Sequence, residues 1–293
     1  MSTFTGTSHT RYPRLVIDLG IIESNVRAIT ALCARSGITM TGVAKGAGGR
    51  VPVAAAMVRG GCSSLASSRI AQLRTLREAA AGPAGAGLPG GTPADSAPAD
   101  RLPADRLPAG VLLGLLRIPG PSEAADAVDV ADWSLQSDRT ALGLTAAAAE
   151  RAGKRHGVVL MLDLGDLREG WFDESELVSA AVEVERSMPS LRFRGIGTNL
   201  GCYGSILPTA ENLGRLAAVS RRIADAIGRP LDVVSGGATS SLPLLARGEM
   251  PAGITELRIG EGVLSARDLP HFHRVTLPGV RSDAFTLRAE IVE

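Results

Sequence analysis

Thr41-Gly42-Val43-Ala44-Lys45-Gly46-Ala47-Gly48-Gly49 is the stretch on which the rest of the sequence turns. A short apolar run leads to one lysine, and four of the eight residues after Thr41 are glycine. Such a run reads as a buried strand whose open end carries an amine, followed by a loop with almost no side-chain bulk. Lysine is costly to bury, and its pKa falls readily when it is buried. Held in that way, Lys45 is a candidate nucleophile toward a carbonyl.

Outward from this stretch the same unit recurs. Apolar runs fall at Ile38–Lys45, Cys62–Ala66, Val111–Leu116, Val130–Leu135, Val158–Leu164, Gly195–Leu200, Leu231–Ser235 and Glu256–Ile259. Amphipathic, alanine-rich segments of helical length fill most of the gaps: Val51–Arg59, Arg69–Ala80, Arg139–Gly153, Glu174–Arg186 and Glu211–Ile227. Strand and helix alternating in this way predict an α/β fold with a parallel sheet. A doubly wound open sheet has the same rhythm. The count of runs favours a (β/α)8 barrel, as do polar motifs placed just after several different runs. In a barrel those positions converge on one face.

Ahead of the barrel, Arg14–Asp18 reads as a short strand, and Leu19–Ala34 as a helix with Ile22, Val26, Ile29 and Cys33 on one face. Residues 1–11 are expected to be a disordered tail, 12–270 the barrel, and 271–293 the start of a C-terminal β-domain. Within the last segment, Leu269–Pro278 reads as loop. Phe285 to Glu293 alternates as a half-buried strand that must pair with another part of the chain or with another subunit. Residues 81–110 interrupt the rhythm with Gly, Pro, Ala and Asp and contain a direct repeat, Pro98-Ala-Asp-Arg-Leu102 and Pro103-Ala-Asp-Arg-Leu107. The segment has little apolar surface to bury and is expected to be disordered, on the barrel face away from the chemistry.

Composition narrows the function. The 31 basic and 30 acidic side chains balance, and aromatic residues make up 3%, so neither a nucleic-acid surface nor an anionic membrane is indicated. The three cysteines, Cys33, Cys62 and Cys202, form neither a metal knuckle nor a disulfide framework. No apolar leader opens the sequence, and no apolar run is long enough to cross a bilayer, so a soluble cytoplasmic protein is expected.

Four motifs follow the later runs. Asp163-Leu-Gly-Asp166-Leu-Arg168-Glu169-Gly170 crowds charge between glycines, and Arg168 offers a fork of donors for a carboxylate or a cofactor oxygen. Asp166 and Glu169 are expected, from charge alone, to receive a distal ammonium of the substrate. Gly195-Ile-Gly-Thr198-Asn199-Leu-Gly-Cys202-Tyr203-Gly204 places Asn199 at a strand end, with Tyr203 and Cys202 as acid–base candidates. Cys202 reads first as a small buried hydrophobe. Ser235-Gly236-Gly237-Ala238-Thr239-Ser240-Ser241 combines glycines and hydroxyls where a barrel binds phosphate, although a simple helix cap has the same signature. Leu257-Arg258-Ile259-Gly260-Glu261-Gly262 adds backbone donors and a permanent charge. A lysine, two arginines and two anion cradles at one barrel mouth suit a phosphorylated carbonyl cofactor, pyridoxal 5′-phosphate.

These motifs resemble the alanine/ornithine racemase family, the fold-type III pyridoxal-phosphate enzymes. The strongest likeness lies in Gly165-Asp-Leu-Arg-Glu-Gly170 and Thr198-Asn-Leu-Gly-Cys-Tyr-Gly204. The resemblance implies an amino-acid racemase for ornithine, another basic amino acid or alanine. Lys45 would hold the cofactor and move a proton, Arg168 would meet the substrate carboxylate, and Tyr203 is a candidate second base. Asn199 would lie against the pyridine ring, and Arg258 would face its nitrogen. Ser235, Gly236, Thr239, Ser240 and the amides near Gly260 and Glu261 would hold the phosphate. A homodimer is implied as well, in which a C-terminal β-domain lends a tyrosine to the partner's site. Gly49 and Met161 depart from the pattern, standing where alanine racemases carry a tyrosine and a lysine. A non-enzymatic pyridoxal-phosphate homeostasis protein of the same fold is the alternative.

Overall fold

The computed structural model describes residues 12–81, 106–202 and 206–291. β1 (Arg14–Ile17) and α1 (Leu19–Ala34) come first. Then follow β2 (Thr39–Val43), α2 (Val51–Arg59), β3 (Ser64–Ser67), α3 (Ile70–Ala81), β4 (Leu112–Leu115) and α4 (Ala124–Val130). Next come β5 (Trp133–Gln136), α5 (Arg139–Arg151), β6 (His156–Met161), α6 (Glu174–Ser187), β7 (Leu191–Gly197) and α7 (Ala210–Ile227). The chain ends with β8 (Val233–Ser235), α8 (Leu242–Arg247), β9 (Glu256–Ile259), α9 (Glu261–Leu264), α10 (Asp268–His271) and β10 (Phe285–Arg288).

β2 through β9 form a closed parallel barrel, each strand beside its sequence neighbour, and β9 pairs back onto β2. The closing register sets Thr41 opposite Arg258 and Gly42 opposite Ile259. Each expected apolar run overlaps one barrel strand. Because all eight strands are parallel, the loops after them open on one face, which is where barrel enzymes place their chemistry.

Helix ends explain the local chain direction. Asp18 accepts from Ile21 N at 3.0 Å to start α1, and Asp138 accepts from Ala141 N at 2.8 Å to start α5. Thr209 and Asn212 form a reciprocal capping box at α7. On α1, Ile22, Val26, Ile29 and Cys33 are fully buried, as the periodicity predicts. Four helices were not legible beforehand: α4 with 7 residues, α8 with 6 residues, and α9 and α10 with 4 residues each are too short to show a period.

Apolar packing divides into two clusters. The larger binds the helices to the outer barrel wall. The smaller fills the barrel and includes Val43, Ala66, Trp133, Leu135, Val159 and Met161. Trp133 fits there because Gly114 has no side chain: a Cβ on Gly114 would stand 2.1 Å from the indole Cζ2.

Three expectations need correction at the edges. The end of the 81–110 insert is ordered: Leu107 is buried and its N–H donates to Ala79 O, because this leucine finds an apolar site on α3. The rest of the insert, like residues 1–11, lies outside the described residues. Asp268–His271 forms a helical turn where loop was expected. β10 pairs antiparallel with β1, as its alternation requires, but it ends at Arg288 and only Phe285 is partly buried, because Leu287 faces away from the barrel.

Candidate active site

Lys45 stands in a 3-10 turn, Ala44–Ala47, immediately beyond β2. Gly48 and Gly49 follow with φ of 68° and 69°, a left-handed path that returns the chain to α2. A Cβ on Gly49 would come within 2.6 Å of Gln72 Cβ, so no tyrosine fits there. This accounts for the first departure from the alanine racemase pattern. The second, Met161, is fully buried among the barrel's interior side chains.

Lys45 opens on a cavity of about 200 Å³ at the C-terminal mouth. Arg168, Asn199, Cys202 and Arg258 line it on one side, and Thr239, Ser240, Gly260 and Glu261 on another. A second cavity of about 380 Å³ shares Val43, Lys45, Gly260 and Glu261 with it and extends to Phe285. The lysine is exposed where it opens on these cavities, not buried as expected, because it stands in the turn beyond the strand, and the protein encloses it only in part. Burial lowers its pKa most, Arg168 lowers it further, and Glu169 works in the opposite sense.

Arg258 is 4% exposed and carries the densest set of contacts. Its guanidinium donates to Thr198 O at 2.8 Å, to Asn199 Oδ1 at 2.8 Å, and to Ser235 Oγ. All three acceptors are neutral, and Arg258 forms no ion pair within 4.0 Å among the described residues. Burial lowers its pKa, and the more distant Glu256 and Glu169 oppose that. Asn199 Nδ2 donates in turn to Glu169 Oε1. Glu169 lies 3.8 Å from Arg168 Nε. Arg168, Glu169, Asn199 and Arg258 thus form a chain along the cavity wall in which one neutral amide joins two opposite charges to a third.

The loop that delivers Arg168 is held by Asp163, which accepts from Gly165 N at 2.8 Å and Leu167 N at 3.2 Å. Leu167 takes a left-handed φ of 56°, a strained conformation for a residue of its size. Gly170 also has positive φ, and a Cβ there would strike the main chain at Asp163.

The hydroxyl motifs knit the mouth together. Thr239 Oγ1 accepts from Gly262 N at 3.0 Å, Ser240 Oγ donates to Leu200 O at 2.7 Å, and Ser241 Oγ donates to Gly236 O at 2.6 Å. These bonds tie the loops after β7, β8 and β9.

The structure therefore brings Lys45, Arg168, Asn199, Thr239, Ser240, Arg258, Gly260 and Glu261 together on one cavity. Ser235 and Gly236 stand behind it: Ser235 is fully buried against Arg258, and Gly236 packs on Ile254. Asp166 and Glu169 do not line it; Asp166 is buried, and Glu169 is turned to Asn199. Cys202 is exposed on the wall rather than buried, because its loop leaves the barrel rim instead of entering the core. Tyr203 lies outside the described residues. Sequence reasoning missed Asp268 and His273 on the same wall, since they lie beyond the last barrel strand, where no periodic signal marks them.

A closed (β/α)8 barrel with a lysine and two arginines lining a cavity at its C-terminal mouth has the layout of a small-molecule site. The chain matches the alanine racemase N-terminal domain over residues 17–268 and belongs to that family. It is 31% identical to the ornithine racemase of Acetoanaerobium sticklandii over 282 residues, 96% of this chain and 70% of that protein. It is 32% identical to the lysine racemase of Thermotoga maritima over 283 residues, again 96% and 70%. The structure of alanine racemase from Streptomyces coelicolor A3(2) superposes with a TM-score of 0.67 at 20% identity, covering 94% of this chain and 66% of that one, which supports the fold. No helix among the described residues is long and apolar enough to cross a membrane.

Proposed function

We propose that this chain is a pyridoxal 5′-phosphate-dependent amino-acid racemase acting on a basic amino acid such as ornithine or lysine. The observation that carries this reading is one lysine sharing a cavity with two arginines, in a chain about one-third identical to ornithine and lysine racemases.

The residues present fit the cofactor. Lys45, Arg168 and Arg258 line the cavity beside two acids, Glu261 and Asp268, and the three cations offer partners for a phosphorylated anion. Space is kept open by glycine: a Cβ on Gly201 would stand 3.2 Å from Ser240 Cβ, and one on Gly260 would stand 3.1 Å from Val43 Cβ. When bound, the cofactor supplies an electron sink beside the substrate Cα.

The chain's own groups do the rest. The lowered pKa of Lys45 increases its neutral fraction near pH 7, so Nζ serves as nucleophile and then as proton carrier on its face of Cα. Arg168 receives the substrate carboxylate through its donor fork. Arg258, held by three neutral acceptors, would meet the cofactor's ring nitrogen without surrendering a proton to it, which would favour simple proton exchange. Thr239, Ser240 and the amides at Gly260 and Glu261 hold the phosphate, with Ser235 and Gly236 bracing that wall. Tyr203 is the proposed proton carrier on the opposite face, and a homodimer is the proposed assembly.

The test begins with the visible spectrum of the purified chain after cofactor is added, with Lys45→Ala alongside. A band that needs Lys45 is expected, followed by racemisation of ornithine and lysine faster than alanine on a chiral column. No band from folded wild-type protein would sink the assignment. A band without exchange of the α-proton in D₂O would turn the reading to a cofactor carrier.

A further inference from the structure

A cavity of about 540 Å³ lies at the opposite mouth of the barrel from Lys45. Its floor is formed where β4 to β7 begin, and Leu112, Trp133 and His156, the first residues of their strands, line it. Basic side chains dominate the wall. Three of them already have carboxylate partners: Arg77 with Asp132 at 2.7 Å, Lys154 with Asp129 at 3.2 Å, and Arg192 with Asp232 at 2.7 Å.

Two are left over. Among the described residues, Arg155 forms no ion pair and donates only a long bond to Leu191 O at 3.4 Å. Among the same residues, Arg194 has neither an ion pair nor a hydrogen bond; its guanidinium lies over Trp133, 5.4 Å from the ring centroid. Arg194 is partly desolvated there, and burial lowers its pKa, with Glu256 the main opposing charge. Its position is built into the neighbouring strand, since a Cβ on Gly157 would stand 2.8 Å from Arg194 Cδ. Beneath it, the buried Nε1 of Trp133 has no hydrogen-bond partner among the described residues.

A half-buried guanidinium without an acceptor is an expensive arrangement unless something in the cavity supplies one. Arg155 immediately precedes β6, Arg194 lies within the adjacent strand β7, and both line the same cavity. A tetrahedral dianion with several acceptor oxygens suits two such forks better than a monocarboxylate does. The volume lies in the range of small-molecule sites and exceeds what a bare phosphate fills.

We propose that the N-terminal mouth of the barrel is a second binding site, for a small organic phosphate held by Arg155 and Arg194. Its place at the far end of the barrel from Lys45 makes it a regulatory or stabilising site, and it stands independently of the racemase assignment.

The experiment is isothermal titration of cofactor-saturated protein, so that the phosphate cradle near Lys45 is filled. Glycerol 3-phosphate and inorganic phosphate are the probes, and sodium chloride of matched ionic strength is the control. One saturable site per chain is expected, with affinity falling roughly tenfold or more in Arg194→Gln and in Arg155→Gln. Arg155 is exposed, so its variant serves even where Arg194→Gln fails to fold. Tighter binding of the ester identifies an organic phosphate as the occupant. Binding of inorganic phosphate alone would overturn that assignment. No saturable binding, or binding unchanged in Arg155→Gln, would overturn the site itself.

Discussion

The chain Arg168–Glu169–Asn199–Arg258 makes a prediction that depends on the direction of one amide. Asn199 gives its oxygen to Arg258 at 2.8 Å and its nitrogen to Glu169. Both Asn199 and the Glu169 side chain are 9% exposed, so neither can turn to water for a replacement partner. In Asn199→Asp, Arg258 keeps an acceptor, but two carboxylates now face each other. Losing the charge-assisted bond and replacing it with repulsion should cost about 2–3 kcal/mol. In Glu169→Gln, a neutral oxygen still accepts from Asn199, and the cost should be about 1 kcal/mol. Combining the two restores a donor–acceptor pair, with the new amide at position 169 giving to the new carboxylate at position 199. It also moves the negative charge closer to Arg258. The double variant should therefore recover about 2 kcal/mol relative to the sum of the singles. Urea denaturation of the cofactor-free protein measures the stabilities, and cofactor titration by absorbance should give the same order of affinities. Additivity within about 0.5 kcal/mol would mean that the amide does not couple the two charges, and the reasoning would fail.

Two further expectations follow from burial. His156 is buried beside Ser134 Oγ at 3.0 Å, and desolvation holds its pKa down at about 4 against an ordinary 6.5. The unfolded chain takes up this proton first, so His156 leaves stability intact above pH 6.5 and removes about 3 kcal/mol as pH falls from 6.5 to 4. His156→Gln should flatten that decline in urea melts at pH 7 and pH 4.5; an unchanged decline would refute the assignment. Of the cysteines, Cys33 and Cys62 are buried with their thiol pKa values pushed up, Cys33 to about 12, whereas Cys202 is exposed on the cavity. One thiol per chain should react with an aromatic disulfide reagent in the native state, more slowly once cofactor is bound. Cys202→Ser should abolish that fast phase.

The sequence by itself determined the alternation of strands and helices, and the count of runs favoured a barrel over an open sheet. Eight apolar runs at regular spacing can bury both faces of a strand only in a parallel sheet covered by helices, and each run became one strand. It also marked the residues that meet at the mouth, because glycine and a lone charged group after an apolar run are local signals. Lys45, Arg168, Thr239 and Arg258 were all legible for that reason. Direction and partnership were not. Glu169 and Asp166 read as cavity carboxylates, yet the strained turn at Leu167 and the bond to Asn199 take Glu169 out of the cavity, and Asp166 is buried. Ser235, the last residue of β8, read as a phosphate ligand; that its Oγ also accepts from Arg258 on the neighbouring strand was not legible. β10 found β1 across almost the whole length of the chain. Periodicity encodes which face of an element is buried. Which side chain lies opposite is decided by strand register and barrel closure, and these exist only once distant segments have packed.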